Sequence, residues 1–279
     1  AGMPVHPSPG HDCDSVLNAA AWYYRAAPDF VFRPLYRLDR DTTGALVLAK
    51  NKFAAGAVLE KTYTAVCEGT VPPCGVIDAP IGLKPGHTIG RCTGCGARAV
   101  SAYRRLAADG AHSLVAFRLE TGRTHQIRVH MASIGHPVAG DDLYGGGTDR
   151  TAQQMLRCTS VRIVSPVLGT DKTVDAPFSA AQRMLFPALF DGAALGDGHA
   201  PGFLGCTGAL ACGFNKKIPL RRGAEREMRF YCTSVWIRRS ISEISVRHSS
   251  SLRSRVMLRA HSCRKPRMMG TSFSPASVR

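Results

Sequence analysis

The stretch Tyr36-Arg37-Leu38-Asp39-Arg40-Asp41-Thr42-Thr43-Gly44, running directly into Ala45-Leu46-Val47-Leu48-Ala49, joins a charged turn to a continuous apolar run. Asp, Thr and Gly favour turns because short polar side chains bond to nearby backbone and glycine admits positive φ. The five apolar residues behind them read as a buried strand. Asp39 is therefore expected on a loop that feeds a core strand.

Outward from that stretch the pattern alternates between helix and strand. Upstream, residues 14–25 place Asp14 or Ser15 as an N-cap before Val16, Leu17, Ala20, Ala21 and Tyr24 at helical spacing. Downstream, Thr62 to Cys67 reads as a strand with Tyr63, Ala65 and Cys67 on one face and Thr62, Thr64 and Val66 on the other. Residues 72–98, rich in Gly, Pro and Cys, read as an irregular excursion, after which short strands are expected at 99–106 and 113–120. Thr121-Gly122-Arg123 makes a turn. A helix follows from His125, with Thr124 as N-cap, Ile127, Met131 and Ile134 as its apolar stripe and Gly135 as its stop. Residues 155–178 suit two further strands around Pro166 and Gly169, and clear periodicity fades after about residue 191.

The 279 residues suffice for one large or two small domains, and a hydrophobic content of 44% is ordinary for a protein with a packed core. The formal net charge of +16 favours a polyanionic partner. Its distribution is uneven: residues 192–279 carry 16 Lys+Arg against 4 Asp+Glu, so +12 of the +16 lies there. That Arg/Ser-rich segment reads as disordered or poorly packed. The ten cysteines are scattered and no apolar signal segment opens the sequence, which favours a reducing compartment over a disulfide scaffold. No run approaches the roughly 18 apolar residues of a membrane span. The opening Ala1-Gly2-Met3-Pro4-Val5 reads as the middle of a loop, pointing to residues missing upstream. Cys92-x-x-Cys95, with Cys74 and His87 before it, lacks a second regular pair and reads as a free-thiol loop rather than a zinc site. No metal site, P-loop or dinucleotide fingerprint is read from the chain.

Four segments, taken in order, resemble the motifs of RluA-type pseudouridine synthases. Ala1-Gly2-Met3-Pro4-Val5-His6-Pro7 resembles the end of the family's first motif, without the Lys-Pro that usually precedes it. Tyr36 to Gly44 resembles H-R-L-D-x-x-T-S-G, with Tyr36 in place of the usual His. Lys61-Thr62-Tyr63-Thr64-Ala65 resembles K-x-Y-x-A. Thr121-Gly122-Arg123-Thr124-His125-Gln126-Ile127-Arg128-Val129-His130, continuing to Gly135-His136-Pro137 and Gly140-Asp141, resembles the last and longest motif. The resemblance covers about residues 1–180, and ordered motifs together carry far more weight than any one of them.

The resemblance implies an α/β protein of the α+β type, with a mixed, mainly antiparallel sheet flooring an RNA-binding cleft and helices packed behind it. It implies an enzyme that isomerises uridine in ribosomal or transfer RNA by breaking the N1–C1′ bond, turning the base and joining C5 to C1′. Asp39 is its catalytic carboxylate, either attacking C1′ or removing the 2′ proton. Arg128 pairs with Asp39 and keeps it ionised. Tyr63 lies against the uracil ring, with proton transfer at C5 a further role that its phenol would perform only with strong assistance. Because a stacked uridine must be flipped out, Arg37 is the candidate wedge, and Arg123, His125 and Gln126 are further candidate RNA contacts. His125, His130 and His136 are assigned no chemical step.

The expected organisation is a catalytic domain over residues 1–191, incomplete at its N-terminus, followed by the basic tail 192–279. No cofactor, nucleotide or membrane is expected to take part, the chain is read as a monomer, and the cytoplasm is the expected compartment, with a mitochondrion or other organelle as the alternative. The rival reading is a catalytically silent RNA-binding homologue of the same fold, against which intact Asp39, Tyr63 and Arg128 argue.

Overall fold

Side-chain alternation along Thr62–Cys67 sets the centre of the fold. In the computed structural model, which describes residues 1–191, strand β2 (Val58–Glu68) carries these residues with both faces buried. Tyr63, Ala65 and Cys67 enter one hydrophobic cluster, and Val66 enters a second on the opposite face. The two-faced reading of this segment therefore holds, and the strand begins four residues earlier than expected.

Around β2 the sheet is assembled from β1 (Thr43–Gly44), β3 (Cys74–Asp78), β6 (Val100–Ala108), β7 (His112–Leu119), β8 (Leu156–Ser165) and β9 (Thr170–Asp175), with β4 (Ile81–Leu83) and β5 (Arg91–Thr93) forming a separate hairpin. The strand order is β1-β8-β2-β7-β6-β3, and β9 joins β8. Every pairing is antiparallel except that of β1 with β8. This is the mixed, mainly antiparallel sheet expected. Residues 72–98 are more regular than their Gly/Pro/Cys content suggests, since they contribute β3, β4 and β5.

Helix α1 (Val16–Tyr23) starts at Ser15, whose hydroxyl accepts the Asn18 N–H while Asn18 reciprocates to the Ser15 backbone. Helix α2 (Gln126–Ser133) packs one face on the first cluster through Ile127 and Met131. Two details differ from expectation. Its N-cap is His125, at φ 57° and without a side-chain cap, rather than Thr124, and Ile134 is the exposed C-cap residue rather than part of the apolar stripe.

Ala45–Ala49 is not a regular buried strand. β1 pairs with β8 for two residues only, and the chain then turns to meet residues 33–35 through Leu35 N–H to Val47 O and Ala49 N–H to Arg33 O, leaving most of the run half-buried. Two short helices, α3 (Ala180–Arg183) and α4 (Pro187–Phe190), close the second cluster with Phe178, Phe186, Leu189 and Phe190 against Val66 and Leu114. The sequence reading missed both. No helix among the described residues is long and apolar enough to cross a membrane. Cys92 and Cys95 are free thiols with Sγ atoms 3.4 Å apart at the β4–β5 hairpin. The basic segment 192–279 lies outside the described residues.

Candidate active site

The turn Asp39–Thr42 closes with the Thr42 N–H donating to the Asp39 carbonyl at 3.0 Å, and the three residues after Asp41 clamp it onto Gln154 and the start of β8. Thr42 Oγ1 accepts from Gln154 Nε2 at 2.7 Å, and Thr43 Oγ1 accepts from Arg157 at 3.1 Å. Gly44, at φ 114°, lies so close to Cys158 that a Cβ would fall 2.2 Å from its carbonyl oxygen. The Thr-Thr-Gly of the motif thus anchors the loop that presents Asp39 to a central strand.

Tyr63 reaches the same place by a different device. Between Thr62 and Tyr63 the register of β2 against β8 shifts, so Tyr63 lies opposite Cys158 and Thr159 is bulged. Burial, the neighbouring Cys158 and Asp39 all push the Tyr63 phenol above its ordinary pKa. Burial likewise pushes the Cys158 thiol up to about 12. Tyr36 fills the position beside them: its hydroxyl donates to the Ala45 carbonyl, and Lys61 Nζ lies 4.7 Å over its ring.

Asp39 and Tyr63 line a cleft of about 540 Å³ together with residues of Pro4–Ser8, Arg37, Arg123, Thr124 and His125. Burial pushes the Asp39 carboxyl above its ordinary value, while Arg128, a hydrogen bond from the His125 backbone N–H and Arg37 pull it down. The N-terminus of α2, with its positive helix dipole, therefore meets the carboxylate. Arg128 Nη1 is 3.9 Å from Asp39, but its main partner is another residue. Nε and Nη2 donate to both oxygens of the buried Asp141 at 2.6 and 2.8 Å. Burial pulls the Arg128 pKa down and Asp141 outweighs that pull, leaving the guanidinium above its ordinary value.

Tyr144 covers the back of this group. Its ring stacks 4.9 Å from the Arg128 guanidinium carbon, and its hydroxyl accepts the Arg91 N–H and meets His125 Nδ1 at 2.7 Å. Burial, then the charges of Arg128 and Arg91, pull the His125 pKa down to about 4, so its ring is neutral at pH 7 and shares a hydrogen bond with the Tyr144 hydroxyl. His125 is the only non-glycine residue with positive φ among those described, the kind of strain that gathers at functional sites.

Gln126 plays a part that differs from the RNA contact expected of it. Its carbonyl oxygen accepts from the Thr121 hydroxyl and the Arg123 N–H, and its amide donates to the Val100 carbonyl and the Ser101 hydroxyl. With all four hydrogen-bonding positions engaged inside the protein, it locks the 121–126 turn. His130, fully buried, accepts from Ser101 Oγ at Nδ1 and donates Nε2–H to the Ala79 carbonyl, tying α2 to the sheet. Arg37 and Arg123 are exposed at the cleft mouth. Asp141, Tyr144 and Arg91 are site residues that the sequence reading did not single out. The only hint was that Gly140-Asp141 extends the last motif.

Residues 1–133 match the RNA pseudouridylate synthase family. The chain is 37% identical over 203 residues to the uncharacterized RNA pseudouridine synthase YhcT of Bacillus subtilis (strain 168), covering 68% of this chain and 67% of that one. The chain belongs to the RNA pseudouridine synthase family. It is also 36% identical over 199 residues to ribosomal large subunit pseudouridine synthase D of Escherichia coli (strain K12), covering 63% of this chain and 61% of the relative. This chain therefore spans about two thirds of the length of the curated relatives it matches. Among solved structures, human RNA pseudouridylate synthase domain containing 1 superimposes with a TM-score of 0.50 at 27% identity, over 61% of this chain and 78% of its own. The family is the RluA type that the four motifs indicate, and the α+β fold is that of pseudouridine synthase domains.

Proposed function

We propose that this chain isomerises a uridine in structured RNA to pseudouridine, with Asp39 as the carboxylate that acts at the sugar. The observation that carries the reading is the convergence of Asp39, from the β1 loop, and Tyr63, from β2 opposite the bulge in β8, on one cleft beside the Arg128 guanidinium. A uracil ring against Tyr63 presents its C1′ side to Asp39. Either role of the carboxylate, attack at C1′ or removal of the 2′ proton, needs it ionised, and Arg128 and the α2 N-terminus favour that form. The raised pKa of the Tyr63 phenol supports stacking as its role and opposes its service as a base at C5. Arg37, at the cleft mouth, takes the place of the extruded base, while Arg123 and His125 contact the RNA backbone.

The substrate is ribosomal or transfer RNA, and the name of the Escherichia coli relative favours the ribosomal choice. We further propose that the enzyme works as a monomer without a nucleotide cofactor, and in the cytoplasm as the bacterial sources of its relatives favour. The test is tritium release from RNA labelled at uridine C5. Wild-type protein is expected to release tritium, and Asp39→Asn to release none while RNA affinity stays within about tenfold, roughly 1.4 kcal/mol, because phosphate contacts supply most of the binding. Turnover in Asp39→Asn equal to wild type would end the assignment. RNA binding without turnover by the wild type would favour the silent homologue. Carbodiimide-dependent reverse-transcription stops, with and without the gene, would identify the RNA and the position.

A further inference from the structure

The C-terminal end of α1 exposes aromatic rings where a protein surface usually hides them. Trp22 is 67% and Tyr23 63% exposed. Beside them Tyr24 stacks on Phe30, with ring centroids 4.4 Å apart, and Tyr23 meets Tyr24 edge-on at 4.9 Å. Cations sit on these rings: the Arg25 guanidinium lies 4.3 Å over Trp22, and Lys50 Nζ lies 5.6 Å over Tyr24. In the stretch 22–33 the one acidic residue is Asp29, against Arg25 and Arg33.

Helix α1 ties the patch to the cleft wall. The first turn of α1 hangs from it, with the Val16 and Leu17 N–H groups donating to the carbonyls of Pro4 and Val5, two cleft-lining residues. His6, also in the wall, packs edge-on against Phe32 at 5.4 Å. An eight-residue helix rises about 12 Å. A stacked strand advances about 3.4 Å per nucleotide. Trp22 and Tyr23 stand six residues along the helix from the anchored Val16 and Leu17, about 9 Å of rise, a span of about three nucleotides.

We propose that this surface is an accessory binding site for single-stranded RNA flanking the modified uridine. It rests on the reading of the cleft as an RNA site and extends it outward. Bases stack on Trp22 and Tyr23, rings that accept any base, while Arg25 and Lys50 hold the phosphates between them. Cations over the rings, with Asp29 the one acid in the stretch 22–33, suit a polyanion whose bases can stack. The flipped uridine thus gains a grip on the strand beside it, independent of the cleft itself.

The test uses a fluorescein-labelled RNA hairpin with one loop uridine, without a tail or with an oligoadenylate tail of about eight nucleotides on either side. For the full chain, one of the two tails is expected to tighten binding about tenfold by fluorescence anisotropy. The double variant Trp22→Ala/Tyr23→Ala, and separately Lys50→Ser, should lose that gain and keep the tail-less affinity within twofold, with Trp22→Phe retaining most of it. A 4-thiouridine placed in the tail should crosslink to Trp22 or Tyr23 in the wild-type protein, a readout that does not depend on a variant folding.

No gain from either tail, a gain that survives the double variant, or crosslinks confined to other surfaces would each overturn the proposal. So would dimerisation in sedimentation that Trp22→Ala abolishes, since the patch would then serve a second copy. Tail binding by a chain that releases no tritium from the C5-labelled RNA identified by carbodiimide mapping would refute the isomerase reading and leave this surface standing.

Discussion

Arg128 holds two carboxylates at unequal distances, and the asymmetry divides its labour. Both oxygens of Asp141 receive direct hydrogen bonds, so Asp141 fixes the plane of the guanidinium, while Nη1 is left 3.9 Å from Asp39 as a source of positive field. Asp141→Ala is expected to lower stability by about 3–5 kcal/mol, because it strands a buried charge, and to reduce turnover with it. Urea unfolding beside single-turnover rates checks both, and unchanged rates would show that the guanidinium needs no anchor. Arg128→Lys should recover only part of the activity lost in Arg128→Ala, since an ammonium lacks two-pronged geometry.

Because burial raises the Asp39 pKa above 3.8, the single-turnover rate should fall on acidification with a midpoint above that value. Arg128→Gln removes a lowering influence and should move this acid limb to higher pH. An unmoved limb would show that Arg128 acts only through packing. The stability sign runs the other way. A raised folded-state pKa gives stability that is present below 3.8 and lost as pH rises through the folded value, so at pH 7 Asp39→Asn should raise the melting temperature while removing activity. At this scale Asp39 and Tyr63 were legible because each stands inside a local motif. The Arg128–Asp141 pair was not, since its members are 13 residues apart and meet only after the loop beyond α2 returns.

At the scale of elements, the loop of Asp39 depends on β1, a two-residue strand with no side-chain pattern of its own. Its anchor is the absence of a side chain at Gly44, where the backbone approaches Cys158. Gly44→Ala must displace backbone rather than a flexible side chain and also adopt an unfavourable φ of 114°. It should lower turnover by about tenfold to a hundredfold with RNA affinity nearly unchanged, because a shift of about 1 Å in a catalytic group is that damaging. Wild-type turnover, measured together with affinity, would show that the close approach is dispensable. The sequence revealed strands where alternation or long apolar runs occur, as in β2, β6 and β7. It misjudged Ala45–Ala49 because an apolar run gives burial without naming a hydrogen-bonding partner, and it missed α3 and α4 because four residues are too few to show a helical period. It also gave no sign of the bulge at Thr159, which comes from pairing between strands about 95 residues apart.

For the whole molecule, the fold brings residues of all four motifs into the lining of one cleft, an arrangement no local pattern encodes. We propose that the catalytic domain ends at residue 191, close behind the second cluster. Phe186, Leu189 and Phe190 are buried in the second cluster, so a cut before them would open the core, whereas every motif of the family lies further upstream. We propose that removing residues 192–279 leaves fold and chemistry intact, since that sequence has no periodic apolar face to add to a core. The excision also removes +12 of the net +16. If those charges meet RNA phosphates, the affinity lost on truncation should be greatest at low salt and shrink as salt rises, because ions compete for the same contacts and screen them. Thermal melts and single-turnover rates of both proteins at two salt concentrations decide between the outcomes. An unchanged melt with a salt-dependent loss of affinity assigns the tail to RNA attraction alone. A collapsed melt would place part of the core beyond residue 191, and a slower rate at saturating protein would mean that the tail helps to build the active site.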